Sequence, residues 1–202
     1  MHLVLASASP ARLGLLRAAG VSPEVRVSGV DEDALLDTLG AASPAAVVTA
    51  LARAKAEVVA PWVADAVVVG CDSMLHIGGE LVGKPETAAA ATARWRGMAG
   101  KTGELLTGHA VLRVLDGAIL AAATGAERTL IRFGTPSDAE LAAYVGTGEP
   151  LQVAGGFTLD GHGGWFVDGV DGNPSSVIGI SLPLTRRLLA EVGVPLTAVW
   201  NG

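Results

Sequence analysis

The chain has 202 residues, half of them apolar, with a formal net charge of −6 and a single cysteine. That acidic balance argues against broad nucleic-acid binding and leaves room for a local basic pocket, and one thiol excludes an intrachain disulfide and fits a reducing cytoplasm. The apolar excess is Ala, Val, Leu and Gly dispersed among charges, with no uncharged run of about 18 residues that would span a membrane, and no basic start of a signal peptide is expected.

Residues 2–6 read as a short apolar strand, followed by Ser7-Ala8-Ser9-Pro10. Ser9 is placed as an N-cap with proline at the first helical position, and the helix carries Leu13, Leu15, Leu16 and Ala19 before Gly20 stops it. Arg12 lies in that first turn, where the helix dipole disfavours a cation. Two readings fit: a phosphate cradle made by the serines, the free N–H groups and Arg12, or an ordinary capped helix with an exposed arginine. Residues 25–30 read as a second strand, and Asp31-Glu32-Asp33 as a solvated acidic turn from which one carboxylate would reach a metal.

Ser43-Pro44 repeats the cap-and-proline start and predicts a helix to about residue 60. At about 100° per residue, Val47, Val48, Leu51, Val58 and Val59 share one face and Lys55 falls in its middle. An ammonium group in an apolar stripe snorkels, pairs with an acid or binds a ligand. An inward functional lysine is favoured over a snorkelling one, and its loss is expected to weaken ligand binding without a large loss of thermal stability.

The β-branched run 66–69 predicts a buried strand that ends at Gly70-Cys71-Asp72-Ser73, leaving a carboxylate at the strand end. Residues 74–77 and 80–82 around Gly78-Gly79 predict a hairpin that returns Lys84 towards Asp72. A helix over 87–98 follows, then strands at 107–115 and 118–124 joined by the hairpin signal Asp116-Gly117, and a further strand at 126–133. Residues 135–138 start another helix, with Asp138 in a capping-box role. Short strands at 157–159 and 165–170, and a helix over 182–192, complete an alternating α/β pattern. The chain carries no P-loop, Rossmann glycine motif or zinc-ligand spacing. Cys71 reads as a small buried residue, His162 as a loop histidine, and the four tryptophans as packing rather than stacking platforms.

Leu5-Ala6-Ser7-Ala8-Ser9-Pro10-Ala11-Arg12 with Leu15-Leu16 resembles the opening motif of the Maf family of nucleoside triphosphate pyrophosphatases. The likeness continues through Val30-Asp31-Glu32, Leu51-Ala52-Arg53-Ala54-Lys55-Ala56, Gly70-Cys71-Asp72-Ser73 and Gly83-Lys84-Pro85. It extends through Gly100-Lys101, Thr107-Gly108, Gly148-Glu149-Pro150, Ala154-Gly155-Gly156 and Asn173-Pro174 to Leu182-Pro183-Leu184. The resemblance implies an elongated mixed β-sheet flanked by helices, with two lobes and a central cleft, in one domain over residues 1–202. It implies hydrolysis of a nucleoside triphosphate to monophosphate and pyrophosphate with a divalent cation, Mg²⁺ or Mn²⁺. By the same resemblance Ser7, Ser9 and Arg12 would bind the phosphates, Glu32 and Asp72 would serve metal and water, and Lys55 and Lys84 would neutralise charge. A non-catalytic nucleotide-binding regulator of cell division is the other role it implies, and it leaves a homodimer open. Family members commonly carry arginine, histidine and lysine where Ala11, Gly103 and Val153 stand here, and glutamine where Asp160 stands. The base preference therefore stays open.

Overall fold

The computed structural model describes residues 1–200. In chain order the regular elements are β1 (Leu3–Leu5), α1 (Pro10–Ala18), β2 (Glu24–Val25), α2 (Glu32–Leu39), α3 (Pro44–Val59) and β3 (Asp65–Ile77). They continue with β4 (Glu80–Val82), α4 (Ala88–Met98), β5 (Thr102–Leu115), β6 (Ala118–Phe133) and α5 (Asp138–Gly146). β7 (Val167–Asp171), α6 (Pro174–Ile178) and α7 (Leu182–Glu191) close the chain, with short 3-10 turns between. The strands form one seven-stranded mixed sheet in the order β2-β1-β3-β5-β6-β7, with β4 pairing off β3. β1 runs parallel to β2 and β3, while β3/β4 and β6/β7 are antiparallel. This is the α/β class that the alternating pattern predicts.

Several boundaries differ from the sequence expectation. β3 does not stop at Gly70: it continues through Asp72 to Ile77, so the carboxylate sits inside a strand rather than at its end. β6 likewise runs unbroken across Gly125, because a side chain there would press within 3.2 Å of Leu184 Cδ1, and glycine lets the strand pass. The strand expected over 25–30 is only two residues long, since beyond Arg26 the chain leaves an open sheet edge and Val27 is 58 % exposed. Asp31 is the N-cap of α2, its side chain accepting from Ala34 N–H, so Glu32 opens a helix rather than a solvated turn. In α5 the capping box is made by Ser137 and Glu140, and Asp138 is only the first helical residue after the cap. No strand forms over 157–159. Asp116 and Gly117 both have positive φ, as the two-residue hairpin turn requires.

The chain divides into two compact units. The first comprises Met1–Asp72, Thr107–Glu127 and the residues from Gly179 on; the second comprises Ser73–Leu106 and Arg128–Ile178. In the first, side chains alternate across the strands as the pleat demands. Leu3, Leu5, Val67 and Val69 pack with Leu188 and Leu189 of α7 and Leu16 of α1, while Val4, Ala6, Ala66 and Val68 pack with Ala52, Ala56 and Val59 of α3. Each fully buried Leu or Val contributes about 1.5–3 kcal/mol of hydrophobic stabilisation.

Helix α3 approaches the sheet to backbone contact. A Cβ on Gly70 would collide with the carbonyl of Ala52, and one on Gly108 would lie on the Val48 carbonyl and 2.6 Å from Thr49 N. Glycine at these two strand positions therefore sets the depth of α3. The second unit is organised on Trp95, fully buried, whose ring meets Phe133, Tyr144 and Phe166 edge-on at 5.7–5.8 Å and whose Nε1–H donates to the Gly156 carbonyl at 2.7 Å. Of the four tryptophans only Trp95 is core; Trp62, Trp165 and Trp200 are exposed. Gly103 lies beneath this core with no room for a larger residue, since a Cβ would stand 2.9 Å from Leu75 Cδ1 and 3.3 Å from Phe133 Cε2.

Candidate active site

The seating of α3 decides where Lys55 goes. The helical period turns it inward as expected, and only 9 % of it is exposed. Its Nζ donates to Asp72 Oδ1 at 2.5 Å and lies 2.8 Å from Glu32 Oε1. Three elements of the first unit thus meet: the first residue of α2, the middle of α3 and the middle of β3. Asp72 is buried and Glu32 is half-exposed, so one side of the lysine is closed and the other open to solvent. Burial pushes the Asp72 carboxyl above its ordinary value, against the pull of the Lys55 and Arg12 charges. A carboxylate made more basic in this way is better suited to take a proton from water.

The opening of the chain forms a second cluster in the same unit. Ser9 caps α1, its Oγ accepting from Arg12 N at 3.4 Å, and the buried Ser7 Oγ accepts from Ser9 N at 3.2 Å. Arg12 does not point to bulk solvent. Its Nη1 donates to Ser7 Oγ at 3.0 Å and its Nε donates to the Gly179 carbonyl at 2.8 Å. The guanidinium is a planar fork, so fixing Nε and one Nη fixes its plane. Ser7, Ser9 and Arg12 thus lie together, and Glu32, Lys55 and Asp72 lie together. Lys84 belongs to the second unit, where it is exposed at the end of the β3/β4 hairpin. The hairpin itself has the predicted form, with Leu75 opposite Val82 and Ile77 opposite Glu80.

Among the described residues no group of three or more His, Cys, Asp and Glu side chains could hold a metal ion. Cys71 beside Asp72 is fully buried and its thiol is pushed up to about 11 by burial, so it is an inert packing residue as expected. No helix is long and apolar enough to cross a membrane among the described residues.

Sequence reasoning missed two networks. In the second unit Glu149 gathers the loop that follows β6 and α5: its carboxylate accepts from Thr158 Oγ1, from His162 N at 3.0 Å and Gly163 N at 2.9 Å, and meets His162 Nδ1 at 2.8 Å. Burial works against the charged form, but these donors win and hold its carboxyl down to about 2. In the first unit His109, fully buried on β5, joins the N-cap of α7. The only sequence signal for either was a polar residue among glycines or apolar neighbours.

A guanidinium held by a serine hydroxyl and a buried lysine–carboxylate pair on one α/β sheet make a candidate site for phosphate chemistry. Residues 2–192 match the family model described as "Maf-like protein", and the chain belongs to that family. A relative from Saccharopolyspora erythraea, named nucleoside triphosphate pyrophosphatase, is 62 % identical over 206 residues, covering 100 % of this chain and 98 % of its own. Relatives of the same name from Rhodococcus jostii and Nocardia farcinica are 63 % and 60 % identical, covering 98 % of this chain and 95 % and 96 % of theirs.

Proposed function

We propose that this chain hydrolyses nucleoside triphosphates to the nucleoside monophosphate and pyrophosphate. The observation that carries the reading is the Lys55 ammonium shared between the buried Asp72 and Glu32, in a chain similar over its full length to relatives bearing that name. A water held at Asp72 gives its proton to the raised-pKa carboxylate as its oxygen bonds the α-phosphorus. The bond from that phosphorus to the α–β bridging oxygen breaks, and pyrophosphate leaves with the electron pair. Arg12, with the Ser7 and Ser9 hydroxyls, binds the leaving phosphates, and Lys55 offsets the charge that grows on them.

Lys55 Nζ takes Glu32 Oε1 and Asp72 Oδ1, and the second oxygen of each carboxylate is a hard donor of the kind a divalent ion takes. These two residues would hold Mg²⁺ or Mn²⁺, which when bound supplies charge neutralisation on the phosphates. A nucleotide-consuming enzyme with one buried thiol suits a reducing compartment, and the cytoplasm is its proposed place. Hydrolysis in ¹⁸O-labelled water tests the reaction. Label enters the monophosphate and not pyrophosphate at early times, and EDTA stops turnover; nucleoside diphosphate with orthophosphate as first products would overturn the reading.

A further inference from the structure

His109 is a fully buried imidazole in the apolar middle of β5, and such a group is tolerated only with both ring nitrogens satisfied. Its Nδ1 lies 3.0 Å from the Thr107 carbonyl, which can only accept, so Nδ1 carries the proton. Nε2 is left with a lone pair, and it accepts the Ser181 N–H at 2.8 Å. Burial lowers the imidazole to about 4, so this polarity holds in neutral solution.

Ser181 is the N-cap of α7. Its hydroxyl donates to Glu127 Oε2 at 2.9 Å and accepts from Leu184 N at 3.2 Å. Two residues earlier Gly179 has φ +143°, and its carbonyl takes the Arg12 Nε–H at 2.8 Å. A side chain at Gly179 would stand 3.0 Å from Arg12 Cγ, so backbone and arginine are in direct contact. The turn that carries the arginine's acceptor is thus pinned at Ser181 by one imidazole lone pair.

We propose that His109 is a positioning residue for Arg12, setting the guanidinium plane through the Ser181–Gly179 turn and so tuning affinity for the polyphosphate of the substrate. The proposal rests on the reading of Arg12 as a phosphate ligand. Leucine or methionine at 109 keeps the apolar volume but offers Ser181 N–H no acceptor. Glutamine brings an amide oxygen to about the place of Nε2.

The test uses the full chain, ¹⁵N-labelled, with the Arg12 Nε–H signal identified by its loss in Arg12→Lys, and inorganic tripolyphosphate as the probe ligand. In His109→Leu, or His109→Met should the first not fold, exchange of the Arg12 Nε–H is expected to rise roughly tenfold and tripolyphosphate affinity to fall by about the same factor. His109→Gln restores both to within about threefold of the wild type. On the Arg12→Lys background His109→Leu changes affinity no further. A folded His109→Leu or His109→Met with a protected Arg12 Nε–H and wild-type affinity overturns the positioning role while Arg12→Lys still weakens binding. Additive losses in the double variant would overturn it too. An Arg12→Lys variant that binds tripolyphosphate normally sinks the phosphate reading itself, and the positioning role with it.

Discussion

Replacing Lys55 by methionine probes the centre of the candidate site. The side chains of Lys55 and Asp72 are 11 % and 10 % exposed, whereas Glu32 is 49 % exposed. The Glu32 contact is screened and contributes at most about 1 kcal/mol. The Asp72 contact is different, because removing one partner of a buried pair leaves an uncompensated charge, at about 3–5 kcal/mol. Asp72 has one escape, which is to bind a proton, and burial already biases it that way. With the lysine gone its carboxyl rises further, so the folded variant binds more protons than the unfolded chain across the window between their two values. Stability of Lys55→Met therefore falls as pH rises through that window. At pH 8 a chain of this size should lose roughly 6–20 °C of melting temperature, at about 2–4 °C per kcal/mol. The deficit shrinks at acid pH, and the double variant Lys55→Met/Asp72→Asn recovers most of it. Melts of wild type, both single variants Lys55→Met and Asp72→Asn, and the double variant by circular dichroism at several pH values measure this. A single variant within about 2 °C of wild type at pH 8, with no recovery in the double, would show that the pair is not buried.

Asp72→Asn leaves the buried Lys55 ammonium with only the Glu32 contact, so it is expected to melt lower than wild type yet still fold, and to lose turnover by on the order of 10²-fold or more; a folded variant with wild-type turnover would remove Asp72 from the chemistry. Gly70→Ala drives a Cβ into the Ala52 carbonyl and should cost about 3 kcal/mol or more by denaturant titration, and an unchanged midpoint would mean α3 is not seated on the strand. Glu149, held down from 4.5 to about 2, stabilises the fold above pH 4.5 and loses that contribution as pH falls towards 2. Glu149→Gln should flatten the acid limb of stability in that window, and coincident limbs would refute the loop network.

Much of this was legible where one residue type has one structural use. Serine before proline marked the starts of α1 and α3 to the residue, and Asp116-Gly117 marked its hairpin. The helical period placed Lys55 inward, yet it could not tell a lysine waiting for a ligand from one already bonded to an acid. That is why sequence led to an expectation of intact melting and the geometry of Asp72 reverses it. Gly70 and Gly125 read as strand ends because glycine usually breaks a strand. Here each is an accommodation to a neighbour distant in sequence, the Ala52 carbonyl and Leu184. His109 showed in the sequence only as a polar residue among apolar neighbours, since its partner lies 72 residues away in the chain.

The two compact units are interleaved along the polypeptide: the first opens with Met1, is interrupted twice, and resumes only at Gly179. A ribosome making this chain releases it from the N-terminus at about 5–20 residues per second. β1 and β3 therefore emerge long before α7, whose Leu188 and Leu189 cover one of their faces. Until that last helix is translated, Leu5, Val67 and Val69 have only Leu16 and its neighbours on α1 for cover on that side, and the nascent protein exposes apolar sheet surface. The α7 side of this core is therefore completed only at the end of synthesis. A truncation that removes α7 should yield an aggregating chain, not a smaller working enzyme.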